Sequence, residues 1–157
     1  MSNIKRFKVQ TNLLEDGAEE LQRHIARLDE ILAKIKTACV TVWVAVIGWA
    51  FTTNNSSIVI LGAILLLGFW LLEGFVRGIQ SRYLHSSAKL TKFFNDREAM
   101  DQAFEKLEYP PGVVYPMTFK ESEWQKLKMY LQGLAAVSTI ILYAFLGFAN
   151  YLVWVFI

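Results

Sequence analysis

Three apolar stretches, Thr37 to Phe51, Ile58 to Leu72 and Leu131 to Ile157, interrupt a chain whose sixteen Lys and Arg residues all lie outside them. A backbone in lipid must satisfy its own N–H and C=O groups, so helix is the state expected for all three. The third stretch has 27 residues and no charge. That exceeds the ~20 residues that carry a helix across ~30 Å of hydrocarbon. The first two are shorter, but the connector Thr52-Thr53-Asn54-Asn55-Ser56-Ser57 is uncharged, so each helix draws a turn from it and the pair reads as a hairpin. The pattern predicts an all-α membrane protein with three transmembrane helices, a two-span hairpin plus a C-terminal span, and a cytoplasmic helical stalk.

Positive charge sets the expected orientation. Residues 1–36 carry seven Lys and Arg, residues 80–130 carry eight, Arg77 stands at the end of the second span, and the connector and the C-terminal stretch carry none. The positive-inside rule then puts the N-terminus and the long middle region in the cytoplasm and Ile157 on the far side. The first span does not read as a cleavable signal peptide, because it follows a long charged segment and lacks a small-residue cleavage site. In order, the segments are a cytoplasmic N-terminal helix (1–36), the hairpin (37–79), a cytoplasmic helix (80–108), a Pro-rich linker (109–118) and an amphipathic start leading into the C-terminal span (119–157).

With three spans in 157 residues, fewer than about ninety remain outside lipid, too few for a separate catalytic domain of ordinary size. Acids and bases are mixed in both charged regions, for a net charge of +2, so no basic patch argues for direct nucleic-acid binding. The single Cys39 excludes an intrachain disulfide and a cysteine zinc cluster. His24 and His85 stand alone, without Cys, Asp or Glu at ligand spacing, so neither reads as a metal ligand. No phosphate-cradling glycine loop and no Ser-His-Asp or Cys-His set is present, so the chain reads as a non-enzyme without a cofactor.

The N-terminal segment carries a heptad. Leu14, Ala18, Leu21, Ile25, Leu28, Leu32 and Ile35 alternate at steps of four and three, and the same phase continues through Cys39, Val42, Val46 and Trp49. One helix of roughly 40 residues would carry this stripe from cytoplasm into lipid. The seam of Leu21, Ile25, Leu28, Leu32 and Ile35 packs either on another helix of the chain or on a second copy, as an oligomer seam. After the second span, Ile79, Tyr83, Leu90, Phe93, Met100, Phe104 and Leu107 hold a second heptad, with Ser86 and Arg97 as polar interruptions, and predict a helix continuing to about Glu108. Pro110, Pro111 and Gly112 then stop it. Thr118-Phe119-Lys120-Glu121 matches a capping box, from which a helix should run through Trp124, Lys126 and Lys128 into the third span.

Glu73 and Arg77 are the only charges inside or against an apolar span, four apart with the acid first, the favourable order for a same-face pair. They read either as an interfacial pair that fixes helix depth or as charges facing the bundle interior. Gly74 and Gly78 form a small-xxx-small pair expected in helix packing, with Gly62 and Gly68 nearby. Asn150 either bonds between helices or reaches headgroups.

Phe69-Trp70-Leu71-Leu72-Glu73, followed by Arg77, Arg82 and Tyr83, resembles a Phe-Trp-x-x-Asp pattern of small bacterial membrane proteins, with Glu73 in place of Asp. Over roughly residues 20–100 the order of charged helix, two-span hairpin and long cytoplasmic helix resembles the SLATT group. The third span is an addition to that pattern. The resemblance implies a membrane effector of triggered antiphage defence that oligomerises and compromises the bilayer. The expectation is thus an oligomeric protein of the bacterial inner membrane, perturbing or perforating it when its cytoplasmic helices meet a signal or protein partner. The alternatives are a membrane anchor, assembly or immunity subunit, and a small channel or transporter subunit, against which stands the scarcity of polar residues at the bilayer midplane.

Overall fold

The computed structural model describes residues 3–110, 113–114 and 122–157, and the described residues form five helices and no strand. They are α1 (Asn3–Thr53), α2 (Ser56–Asn95), α3 (Arg97–Lys106), α4 (Glu123–Leu134) and α5 (Val137–Phe156). Helices α1, α2 and α5 are long and apolar enough to cross a membrane. The capping box at Thr118–Glu121 and most of the Pro-rich linker lie outside the described residues. Contacts divide the chain into two compact units, residues 1–27 with 80–122 and residues 28–79 with 123–157.

In the first unit the early turns of α1 pack on the later turns of α2 and on α3. Leu14, Leu21, Leu90, Phe93, Ala103 and Tyr109 are buried together, with Ala18, Ile25, Tyr83 and Met100 against them. Full burial of each Leu contributes ~1.5–3 kcal/mol here. Phe7 stacks on Tyr109 with ring centroids 4.9 Å apart, and the Tyr109 hydroxyl meets Thr11 Oγ1 at 3.2 Å. The helix expected to reach Glu108 is interrupted at Asp96. That residue takes an extended conformation and its carboxylate accepts from the Ala99 amide at 3.1 Å, a side-chain N-cap of a kind that contributes ~1 kcal/mol. The interruption shifts the buried face: Ala103 is enclosed, while Phe104 is 53% exposed with one edge on Phe7. Leu107, expected in the seam, instead ends α3 in the left-handed region at φ 51°.

In the second unit α1 and α2 run antiparallel. They are joined by Asn54 and Asn55 alone rather than by six residues, because the helices wind into the connector from both sides. Asn54 takes the left-handed conformation, φ 49°, one of the few that asparagine tolerates, and Asn55 Oδ1 accepts from the Ser57 amide at 3.0 Å. Leu32 and Ile35 pack on Val76, Cys39 on Leu66 and Leu146, and Ile47 and Ala50 on Ile58 and Val59. The seam of Leu21, Ile25, Leu28, Leu32 and Ile35 is therefore covered from within the chain, part in each unit. A contact between copies through it would have to displace those partners. Beyond Cys39 the stripe departs from strict heptad phase. Trp43, Ile47 and Ala50 face the bundle, whereas Val42 and Trp49 are 38% and 55% exposed. A straight helix drifts ~20° per heptad against a 3.5-residue repeat, and in an all-apolar span nothing in the composition reveals it.

The third stretch is not one helix. α4 ends at Leu134 and α5 starts after Ala136, which offers no side-chain cap. The break lies against α2, whose Trp70 indole N–H donates to the freed Leu134 carbonyl at 3.2 Å. That bond removes an unsatisfied carbonyl whose exposure to hydrocarbon would cost several kcal/mol.

Candidate functional site

The site is built where α1, α2 and the start of α5 meet. Its centre is the side chain of Glu73, which is 0% exposed. The i, i+4 spacing on α2 brings Arg77 beneath it, and Arg77 Nε donates to Glu73 Oε1 at 3.0 Å. From α1, Lys36 Nζ stands 3.6 Å from the same oxygen, and from the first turn of α5 the Thr139 hydroxyl donates to it at 2.7 Å. The Arg77 guanidinium reaches on, Nη2 donating to Ser138 Oγ at 2.9 Å. One carboxylate thus ties three helices together. Glu73 lies inside the bundle, while the Arg77 side chain is 20% exposed at its edge.

The break at Ala135–Ala136 makes this convergence possible. It sets the N-terminal turn of α5, with the positive end of its peptide dipoles, on the side of the carboxylate. Three donors crowd Oε1, while Glu73 Oε2 is buried without a hydrogen-bond partner, as is the Tyr143 hydroxyl. Tyr143 packs with Cys39, Leu66 and Leu146 in the layer next to Glu73.

Close backbone approach supports the centre from below. A side chain on Gly74 would collide with Leu134, one on Gly78 would come within 3.1 Å of the Tyr130 Cα, and one on Gly133 would stand 2.6 Å from the Gly74 carbonyl oxygen. Gly74 and Gly78 therefore lie at the α2–α4 crossing, and Gly133 is their counterpart on α4. Sequence reading named the first two from their spacing and missed Gly133, whose partner lies on another helix. Gly62 lies at a second such contact, its missing Cβ 2.7 Å from Asn150 Oδ1, whereas Gly68 faces open space.

Toward the α1–α2 turn, Asn150 closes the bundle. Its amide donates to the Val59 carbonyl at 3.2 Å, and its Oδ1 accepts from the Trp43 indole N–H at 3.2 Å. It bonds between helices and is 7% exposed. His24, in the first unit, lies on the Tyr83 ring at 5.3 Å and 3.6 Å from Glu20, and His85 is exposed. Among the described residues no three His, Cys, Asp or Glu side chains come together.

The arrangement holds charge and fixes helix register. Comparisons with family models, with curated proteins and with solved structures find no match to this chain.

Proposed function

We propose that this chain is a multi-pass protein of a bacterial inner membrane, its N-terminal and middle helices forming a cytoplasmic stalk and its C-terminus periplasmic. It acts without catalysis, as a triggered effector: copies assemble and perturb or perforate the bilayer once a signal or protein partner disturbs the stalk. α1 and α2 each continue unbroken from the first unit into the second, so a change of packing among the outer turns has a hydrogen-bonded path into the spans. Perforation by a chain with three apolar helices requires several copies. The SLATT-like order of elements agrees with this reading.

The observation that carries it is Glu73. An anchor has no need of a fully buried carboxylate, since well-packed apolar residues in place of a buried ion pair are often neutral or stabilising by ~1–4 kcal/mol. Charges kept inside spans go with pathways and switches. The second reading, an anchor, assembly or immunity subunit, draws support from the tight glycine crossing and the Asn150 bonds, which favour a rigid bundle.

Membrane potential in expressing bacteria separates the two. Glu73→Gln keeps the shape of the side chain and leaves Arg77 and Lys36 without a counter-charge. As an effector, the variant inserts and depolarises cells without a trigger while the unsubstituted protein stays silent. A variant that inserts at the ordinary level and leaves the potential intact would favour the anchor.

A further inference from the structure

Along α2, Ala63, Leu67, Trp70 and Arg77 follow at steps of four, three and seven and so share one face. This face meets α5 across two adjoining grooves of about 210 and 420 Å³, both lined by Ala63, Gly147 and Asn150. Trp70 lines one and Trp154 the other, so the pair extends along most of the span. The grooves owe their depth to Gly147, beyond whose Cα a side chain would meet nothing within 4 Å.

Trp70 ends its groove at the α4–α5 break; the next turn of that face carries Gly74, packed on Leu134, and the turn after it Arg77, bonded to Ser138 at the start of α5. Among the described residues two cations, Lys36 and Arg77, stand against one carboxylate, that of Glu73, which leaves one positive charge in excess there. Both cations remain reachable, with side chains 31% and 20% exposed. Ser138 accepts from Arg77, which leaves its own hydroxyl proton to donate. At the edge of an apolar span, excess charge calls for a counter-anion.

We propose that the α2–α5 groove with Arg77 binds one anionic glycerophospholipid, its phosphate on Arg77 and Ser138 and an acyl chain against Ala63, Leu67 and Gly147. A free phosphate would answer the charge and leave the groove empty. A helix of a second copy would fill the groove and leave the charge. Only a lipid with an anionic head meets both, and the inference rests on α2 and α5 lying in a bilayer, independently of any effector role.

The test uses full-length protein reconstituted in vesicles of equal phosphatidylglycerol and phosphatidylcholine, re-extracted gently and weighed intact by native mass spectrometry. One phosphatidylglycerol per chain is expected, enriched about fivefold over phosphatidylcholine, the ratio given by one cation near a lipid phosphate. Lys36→Gln removes the excess charge without touching the Glu73–Arg77 pair and should bring the two lipids to parity. Gly147→Leu fills the groove and should lower retention of both. Equal retention by the unsubstituted protein would overturn the proposal, as would a preference that survives both substitutions. Loss of the lipid to excess inorganic phosphate, with Gly147→Leu behaving normally, would overturn it in favour of a free-phosphate site. A lipid-free dimer would assign the groove to a second copy.

Discussion

The two units differ most in what they turn outward and in the charge the second keeps inside. The first has an apolar interior of Leu14, Leu21, Leu90 and Phe93 under a charged surface, with pairs such as Arg23–Glu19 at 3.0 Å lying in the open. The second keeps Glu73, Thr139 and Asn150 inside and turns Ile64, Phe145 and Phe148 outward, each more than 60% exposed. Water drives the first: burying its aliphatic and aromatic faces removes them from solvent. Lipid gives no such drive between helices, because an acyl chain is as apolar as leucine, so the second relies on backbone approach at glycines and on interior hydrogen bonds. The same helices α1 and α2 serve both units.

The strongest way to break that contrast is at Glu73. Removing one member of a buried ion pair typically costs ~3–5 kcal/mol, because the partner is left charged and unpaired. Glu73→Ala, which leaves Arg77 and Lys36 both without a counter-charge, should lower the amount of folded, detergent-stable protein far more than Arg77→Ala, after which Lys36 and Thr139 still face the carboxylate, as read by thermal melting of these two and the unsubstituted protein on size-exclusion chromatography. Three equal melting curves would mean the second unit does not depend on its polar interior.

Next in size is Leu21, 1% exposed at the centre of the first unit. Leu21→Ala leaves a cavity and should cost ~3 kcal/mol. Hydrogen exchange should quicken in residues 3–27 and 80–110 while the amides of α5 keep their protection. Equal loss in both units would show that they unfold as one and that the division has no energetic meaning.

Asn150→Leu sharpens the comparison with a smaller effect. It removes the bonds to Val59 and Trp43, and interhelical hydrogen bonds in spans average only ~0.6 kcal/mol. A drop of ~1 kcal/mol in steric-trapping or denaturant stability is expected. A stabilised variant would mean that apolar packing alone suffices at that end.

The two units also differ in how legible they are. In water the heptad from Leu14 to Ile25 marks its own buried face, because exposing it has a cost, and those residues are packed as their spacing predicts. In the apolar stretches every face is apolar, so composition marks α1, α2 and α5 as long and apolar enough to cross a membrane and says little about which residues turn inward. Trp43 and Ile47 rather than Val42 and Trp49 face the bundle for that reason. Glu73 and Arg77 could be paired from local spacing, but Lys36, Ser138 and Thr139 come from other helices and carry no local sign of the pairing. Both helix breaks escaped notice as well. Asp96 is one acid among many, and the Ala135–Ala136 break has no proline and depends on Trp70 taking up the Leu134 carbonyl.

The two-residue turn at Asn54–Asn55 has a mechanical consequence for the second unit. It pins α1 to α2 at one end, where Asn150 also fastens α5, so neither helix can slide past the other like a piston. What remains is rotation about that end, as in the blades of scissors. Glu73 lies eighteen residues beyond Asn55, an arm of about 27 Å at 1.5 Å per residue. Tilting by roughly 5° moves the far end of such an arm about 2 Å, enough to part hydrogen bonds of 2.7 to 3.0 Å. The bundle is thus hinged where it is uncharged and fastened where it is charged, and leverage is greatest at the fastening.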